Sequence, residues 1–105
     1  MPNRTISKNI GAGLIEGECD PKFEGVLDAF IANFEERNEL GASVCINLEG
    51  RTVVDLWGGS VKADRAPWTR DTVSIIFSAT KGASAICAHM AADRGQLDLD
   101  ASVTR

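Results

Sequence analysis

Ser78 and Lys81 form an S-x-x-K motif, Ser78-Ala79-Thr80-Lys81, and are the side chains of this sequence best suited to covalent chemistry. Serine is a weak nucleophile unless a base lies beside it. Residues three positions apart on a helix share one face, so a helix that begins here brings the amine to the hydroxyl. Lysine acts as a base where burial disfavours its charged form, and a helix N-terminus stabilises developing negative charge. We therefore predict that Ser78 is the nucleophile and one backbone oxyanion donor, and that Lys81 is its general base.

The same two residues also fit an ordinary structural role, with Ser78 as a helix N-cap and Lys81 as a surface residue of the first turn. His89 is the only histidine and offers no better base. Eleven helical residues separate it from Ser78 by roughly 16 Å along the axis, whereas a hydrogen bond needs about 3 Å. Asp55 and Asp71 cannot be distinguished by pattern from strand-edge and turn residues. The secondary-structure elements around the motif are therefore needed to choose between the catalytic and the structural interpretation of Ser78 and Lys81.

Upstream of the motif, residues 1–20 are glycine-rich and aperiodic, which predicts an extended or loosely held N-terminal arm. Asp20 is a candidate N-cap for a helix with Pro21 in its first turn. An apolar stripe at helical spacing follows, formed by Phe23, Val26, Leu27, Phe30, Ile31 and Phe34. We expect this helix to end near Leu40, with Gly41 as its left-handed cap.

Two short strands over residues 42–48 and 52–57, joined by Glu49-Gly50, are predicted to form a β-hairpin. Residues 60–70 are polar, contain a proline and read as a loop. An apolar run over residues 73–77 then leads into a second helix, from about Ser78 to Arg94, with Gly95 beyond its end. Because this helix is apolar on most faces, we expect it to be buried.

This order of elements resembles the N-terminal part of β-lactamase-like serine hydrolases, in the branch of class C enzymes and family VIII esterases. The resemblance runs from about Cys19 to the last residue. It is carried by Gly41-Ala42-Ser43-Val44, Val53-Val54-Asp55-Leu56-Trp57-Gly58-Gly59, Trp68-Thr69, Asp71-Thr72, Phe77-Ser78-Ala79-Thr80-Lys81-Gly82 and Gly95-Gln96-Leu97-Asp98-Leu99.

The resemblance implies an α+β fold, incomplete here, in which helices flank an antiparallel sheet and residues 21–105 supply the helix, hairpin, loop and S-x-x-K helix. It also implies acylation of Ser78 by a small ester or a β-lactam, without a metal or other cofactor. A tyrosine of a Y-x-N motif and a later K-T-G or H-x-G strand complete such sites. The chain contains no tyrosine. We therefore expect a truncated chain, inactive alone, with a non-catalytic remnant or interaction fragment, or a β-lactamase or D,D-peptidase relative, as alternatives.

Composition and charge narrow the possible partners and the cellular location of the protein. A net charge of −4 without a basic stripe argues against a nucleic-acid partner. No apolar run is long enough to span a membrane, and the first residues lack the apolar core of a signal peptide. Three widely spaced cysteines, Cys19, Cys45 and Cys87, predict free, buried or half-buried thiols rather than a disulfide or zinc framework. These features favour a cytoplasmic esterase over an exported β-lactamase.

Overall fold

A computed structural model describes residues 2–11, 13–62 and 66–104, which fall into two compact units, Met1–Thr72 and Val73–Arg105. Met1 and Ala12 of the predicted arm, residues 63–65 of the predicted loop and the terminal Arg105 lie outside the described residues. The first unit holds a sheet and an α-helix, and the second holds an α-helix preceded by a 3₁₀ turn. The predicted α+β class is confirmed.

The first unit is built on four antiparallel strands in the order β1-β2-β4-β3. These strands are β1 (Arg4–Ile10), β2 (Gly13–Cys19), β3 (Gly41–Leu48) and β4 (Arg51–Gly59). The predicted hairpin is confirmed as β3 and β4, which pair along their whole length. Its turn residues Glu49 and Gly50 have φ of 50° and 78°, the two positive values that a tight type I′ hairpin turn requires.

The predicted extended or loosely held arm over residues 1–20 is extended in its described part, but it is held in the sheet. Apart from Ala12, residues 4–19 form the β1–β2 hairpin, and β2 pairs with β4 over Ile15–Cys19. The strands were missed because Gly11, Gly13 and Gly17 weaken the strand signal. Gly17 is required by a close approach, since a Cβ there would lie 2.0 Å from the carbonyl oxygen of Asp55, and its φ is +135°.

Helix α1 (Glu24–Glu36) follows a 3₁₀ turn at Pro21–Phe23, and the predicted start at Asp20 and Pro21 is confirmed. The predicted end near Leu40 is wrong. The chain leaves the helix at Arg37, and Asn38, not Gly41, takes the left-handed conformation with φ of 58°. Asparagine tolerates that conformation because its short polar side chain hydrogen-bonds locally.

Gly41 has a different role from the predicted cap, because it begins β3 where space is limited. A Cβ at Gly41 would lie 2.2 Å from the Ser60 carbonyl oxygen and 2.5 Å from Cε3 of Trp68. The backbone around it is tied down as well, since the N–H of Ser60 donates to the carbonyl of Leu40 at 2.7 Å. Gly41 therefore lets the start of β3 pass beside the Trp68 ring.

The core lies between α1 and one face of the sheet. The apolar stripe of α1 contributes Leu27, Phe30 and Phe34, and the two phenyl rings meet edge to face at 5.3 Å. The strands contribute the other buried apolar residues, namely Ile6, Ile15, Cys19, Val53, Val54 and Leu56. The apolar stripe identified in the sequence therefore faces the core through Leu27, Phe30 and Phe34.

Asp20 connects β4 to the turn before α1, and its side chain is almost fully buried. Its carboxylate accepts a hydrogen bond from the backbone N–H of Lys22 at 2.9 Å and pairs with the Arg51 guanidinium. Its own N–H donates to the Val53 carbonyl at 2.8 Å. The Lys22 N–H, and after it Arg51, hold the pKa of the Asp20 carboxyl below its ordinary value.

Cys19, next to Asp20, is held as a neutral thiol. Burial is the main reason that its pKa is raised. Its Sγ donates weakly to the carbonyls of Asp20 and Phe23, at 3.4 and 3.6 Å. All three cysteines are free, as predicted, but Cys45 and Cys87 are exposed rather than buried or half-buried.

The second unit contains helix α2 (Thr80–Asp93), which ends in a Schellman motif. The N–H of Gly95, with φ of +70°, donates to Ala92, and the N–H of Gln96 donates to Ala91. The predicted cap at Gly95 is confirmed. Among the described residues, no helix is long and apolar enough to cross a bilayer.

The prediction that this helix is buried is wrong for the chain as described, because none of the residues of α2 is buried. Ile86 is 64% exposed and Met90 47% exposed. Small apolar residues give this helix a surface suited to close packing, and that surface is exposed in the chain as described.

Replacing Asp20 tests the junction between sheet and helix. We expect Asp20→Asn to lower the urea midpoint near neutral pH, because it removes the charge that pairs with Arg51. A carboxyl whose pKa is lowered by folding stabilises the fold above its unfolded pKa of about 3.9 and loses that contribution as pH falls through the lower folded value. Wild type should therefore lose more stability than the variant on acidification below about pH 4.

Tryptophan fluorescence is a suitable readout, since both tryptophans, Trp57 and Trp68, belong to the first unit. Asp28→Asn is the matched control, because it removes an exposed carboxylate from α1. Equal midpoints and equal acid dependence in wild type and Asp20→Asn would contradict the role of the junction.

Two glycine substitutions should have opposite effects on the same transition. Gly17→Ala should destabilise the first unit by at least about 3 kcal/mol, because the methyl group meets the β4 backbone and the φ is unfavourable. Gly25→Ala should be neutral or stabilising by up to about 1 kcal/mol, since a Cβ at this helical position meets no atom within 4 Å beyond its chain neighbours and the backbone of its own helix. A tolerated Gly17→Ala would mean that β2 does not pair with β4 in this register.

Candidate active site

The two predicted site residues lie together at the start of α2. The Nζ of Lys81 donates a hydrogen bond to the Oγ of Ser78 at 2.7 Å. Ser78 lies in a 3₁₀ turn, Phe77–Ala79, and Lys81 lies in the first turn of α2 directly after it. The predicted helix start near Ser78 thus consists of a 3₁₀ turn that leads directly into α2. Ser78 and Lys81 lie one turn apart, as the motif requires.

The turn that carries Ser78 begins with an unusual backbone conformation. Phe77 has φ of +46°, in the left-handed region that a bulky residue seldom occupies. The N–H of Ala79 donates to the Ile76 carbonyl at 3.1 Å, and the N–H of Thr80 reaches the carbonyls of Phe77 and Ser78. The chain therefore bends sharply one residue before the candidate nucleophile.

Water reaches both members of the pair, since Ser78 and Lys81 are exposed. The preceding apolar run is exposed too, with Val73 at 90% and Phe77 at 81%. Desolvation is the main way in which a protein makes lysine a base. The geometry of a serine–lysine pair is present in this chain, and the burial that was expected around it is not.

The other candidate residues are not part of this pair. His89 lies on α2 with an exposed side chain, Asp55 lies half-buried on β4, and Asp71 lies exposed in the Thr69–Thr72 turn. Within the described residues, no group of three or more His, Cys, Asp and Glu side chains could hold a metal ion. The serine–lysine pair is therefore the candidate for chemistry in this chain.

A cavity of about 540 Å³ opens in the first unit beside β1, β2 and the Trp68 segment. Its lining includes Leu14, Glu16 and Trp68 and does not include the serine–lysine pair. The Nε1 of Trp68 is buried and has no hydrogen-bond partner among the described residues. The cavity brings an apolar ring and a carboxylate together.

Phe77 is the feature of this site that the sequence did not reveal. A glycine or an asparagine in a sequence can indicate a left-handed backbone conformation, whereas an aromatic residue does not. The sequence marked Phe77 only as the end of an apolar run.

Comparison with known proteins gives three agreeing results. The Beta-lactamase family model matches residues 27–105. The "Esterase/beta-lactamase LipL" of Mycobacterium tuberculosis (strain ATCC 25618 / H37Rv) is 43% identical over 109 aligned residues, which cover 98% of this chain and 25% of LipL. The crystal structure of a family VIII carboxylesterase is 46% identical with a TM-score of 0.79, over 83% of this chain and 24% of that one.

This chain therefore spans about a quarter of the length of the relatives that it matches. The four-stranded antiparallel sheet with its two helices corresponds to the N-terminal part of the β-lactamase-like fold, as the resemblance implied. The family model covers most of the chain, including the whole of α1 except its first turn, the β3–β4 hairpin and the serine–lysine pair. The chain belongs to the Beta-lactamase family.

Proposed function

We propose that this chain carries the nucleophile of an esterase that cleaves small carboxylic esters through an acyl-enzyme on Ser78. The observation that carries the proposal is the 2.7 Å hydrogen bond between the Lys81 amine and the Ser78 hydroxyl. Both named relatives are described as esterases, and one of them also as a β-lactamase. An ester is therefore the substrate class that we favour, and a β-lactam is the second.

The proposed reaction has two halves. Neutral Lys81 takes the hydroxyl proton of Ser78 while the Oγ attacks the ester carbonyl, and the tetrahedral intermediate expels the alcohol with that proton. Water then attacks the acyl-enzyme and releases the carboxylic acid. The Ser78 N–H, at the beginning of a helical segment where backbone donors lack internal acceptors, is the proposed donor to the oxyanion.

Such a reaction needs a site from which water is excluded. Here both side chains of the pair are exposed, and the chain contains no tyrosine to share the work of the base. We therefore propose that the 105 residues alone are inactive, and that the remaining length of a family member supplies the cover and the other catalytic groups.

A second candidate function is a non-catalytic interaction fragment. The exposure of the 73–77 segment and of α2 favours it, because a large apolar surface marks a site of association. The two candidates differ in one respect, which is whether Ser78 becomes acylated when the apolar surface is covered.

The isolated chain should not hydrolyse simple esters above background, because groups that act as a unit contribute far less when separated. The measurement is release of nitrophenol from a short-chain nitrophenyl ester by the purified 105-residue chain. Ser78→Ala is the control. Turnover in wild type that disappears in Ser78→Ala would contradict the proposed inactivity.

The role of Lys81 can be tested in a longer protein in which this chain replaces the aligned quarter of LipL, called the LipL chimera below. In that protein Lys81→Arg should slow single-turnover acylation nearly as much as Ser78→Ala, although arginine is also a long basic side chain. Arginine stays protonated and cannot accept the serine proton.

The Lys81→Arg comparison needs two controls. The variant and its parent should have equal circular dichroism spectra, and Lys62→Arg, at an exposed lysine, should leave the acylation rate unchanged. Acylation by Lys81→Arg within about tenfold of the parent, a change of about 1.4 kcal/mol in the barrier, would exclude Lys81 as the essential base. Hydrolysis of a chromogenic cephalosporin in preference to the ester would move the substrate class to β-lactams.

A further inference from the structure

We propose that Phe77 is a positioning residue, whose left-handed backbone presents Ser78 to Lys81 and to the substrate. This inference rests on the proposed role of Ser78 and adds a residue that acts through it. The first observation is the φ of +46° at Phe77, directly before the nucleophile. An ordinary L-residue in this region costs about 1–2 kcal/mol, so the conformation needs a reason.

The other non-glycine residues with positive φ among the described residues each have a local reason. Asn38 ends α1 and is of a type that tolerates the conformation. Glu49 is the first central residue of the tight β3–β4 turn, whose geometry demands positive φ. Phe77 is neither a helix C-cap nor a hairpin turn residue, and its side chain is 81% exposed, so packing does not impose its conformation.

The hydrogen bonds around Phe77 indicate what its conformation achieves. Its carbonyl accepts from the N–H of Thr80, and the carbonyl of the residue before it accepts from Ala79. The left-handed φ therefore falls at the point where the irregular 73–76 segment leads into the 3₁₀ turn and α2, and Ser78 comes immediately after the bend. Ser78 and Lys81 then lie one turn apart on one face at 2.7 Å.

A sharp bend before a nucleophile exposes the hydroxyl and leaves room for a substrate to approach. If residue 77 had an extended conformation, the chain would enter the helix at another angle and the Ser78 side chain would point elsewhere. Strain of this kind persists at functional sites because correct placement of the reacting group outweighs its cost.

The proposal predicts an order of variants set by backbone preference rather than by size or apolarity. In the LipL chimera, Phe77→Asn and Phe77→Gly should keep single-turnover acylation within about threefold of the parent, since both types accept left-handed φ. Phe77→Val should slow acylation at least about tenfold, because a β-branched residue resists this conformation. The fall should appear in the acylation rate constant and not in KM.

A purely apolar role for Phe77 predicts the opposite order, with valine better than asparagine. Glu49→Val is the matched control, since it places the same β-branched residue at a left-handed position away from the pair. It should lower stability and leave acylation by the folded chimera unchanged.

The conformation itself can be checked in the 105-residue chain by NMR. A left-handed residue gives a strong intraresidue Hα–HN nuclear Overhauser effect, which Phe77 and its asparagine variant should show and the valine variant should lose. A weak effect at Phe77, or acylation by Phe77→Val equal to or faster than by Phe77→Asn, would overturn the proposal. An unreactive parent chimera would instead disprove the proposed function, and the NMR result would still decide whether Phe77 is left-handed.

Discussion

The buried Asp20 holds the first unit together, because its carboxylate and its backbone N–H join β4 to the turn that leads into α1. Its backbone N–H reaches β4, its side chain caps the turn that leads into α1, and Arg51 approaches it from the far end of the β3–β4 hairpin. A charge out of water is tolerated only with such partners. The position of α1 on the sheet, and with it the packing of Phe30 and Phe34, follows from this junction.

In the second unit the hydrogen bond between Ser78 and Lys81 is formed, but the apolar residues around the pair are exposed. Local helical spacing is enough to bring the Lys81 amine to the Ser78 hydroxyl. Burial would favour the neutral amine that can act as a base, but both side chains are exposed here. Relatives about four times as long have that additional length. We propose that Ser78 is positioned by local backbone structure and activated by long-range contacts.

The sequence predicted those features whose cause lies in neighbouring residues. The stripe ending at Phe34, the Glu49-Gly50 turn, the Gly95 cap and the serine–lysine spacing all follow from periodicity or from the chemistry of one residue type. It did not predict β2, because Gly17 is explained only by the backbone of Asp55 across the sheet. It also missed the left-handed Phe77, whose residue type gives no sign of that conformation, and the exposure of α2, which depends on parts of a fold outside these 105 residues.

Direct identification of the acylated residue tests the central claim, that Ser78 is the nucleophile. The LipL chimera is mixed with a slowly released ester, quenched in acid during turnover, digested with trypsin and analysed by tandem mass spectrometry. Cleavage after Arg70 and Lys81 isolates a peptide of residues 71–81 that contains Ser78. The account predicts one acyl group on this peptide, with fragment ions that place it on Ser78. Turnover with the acyl group on another residue, or with no covalent adduct at any quench time, would contradict it.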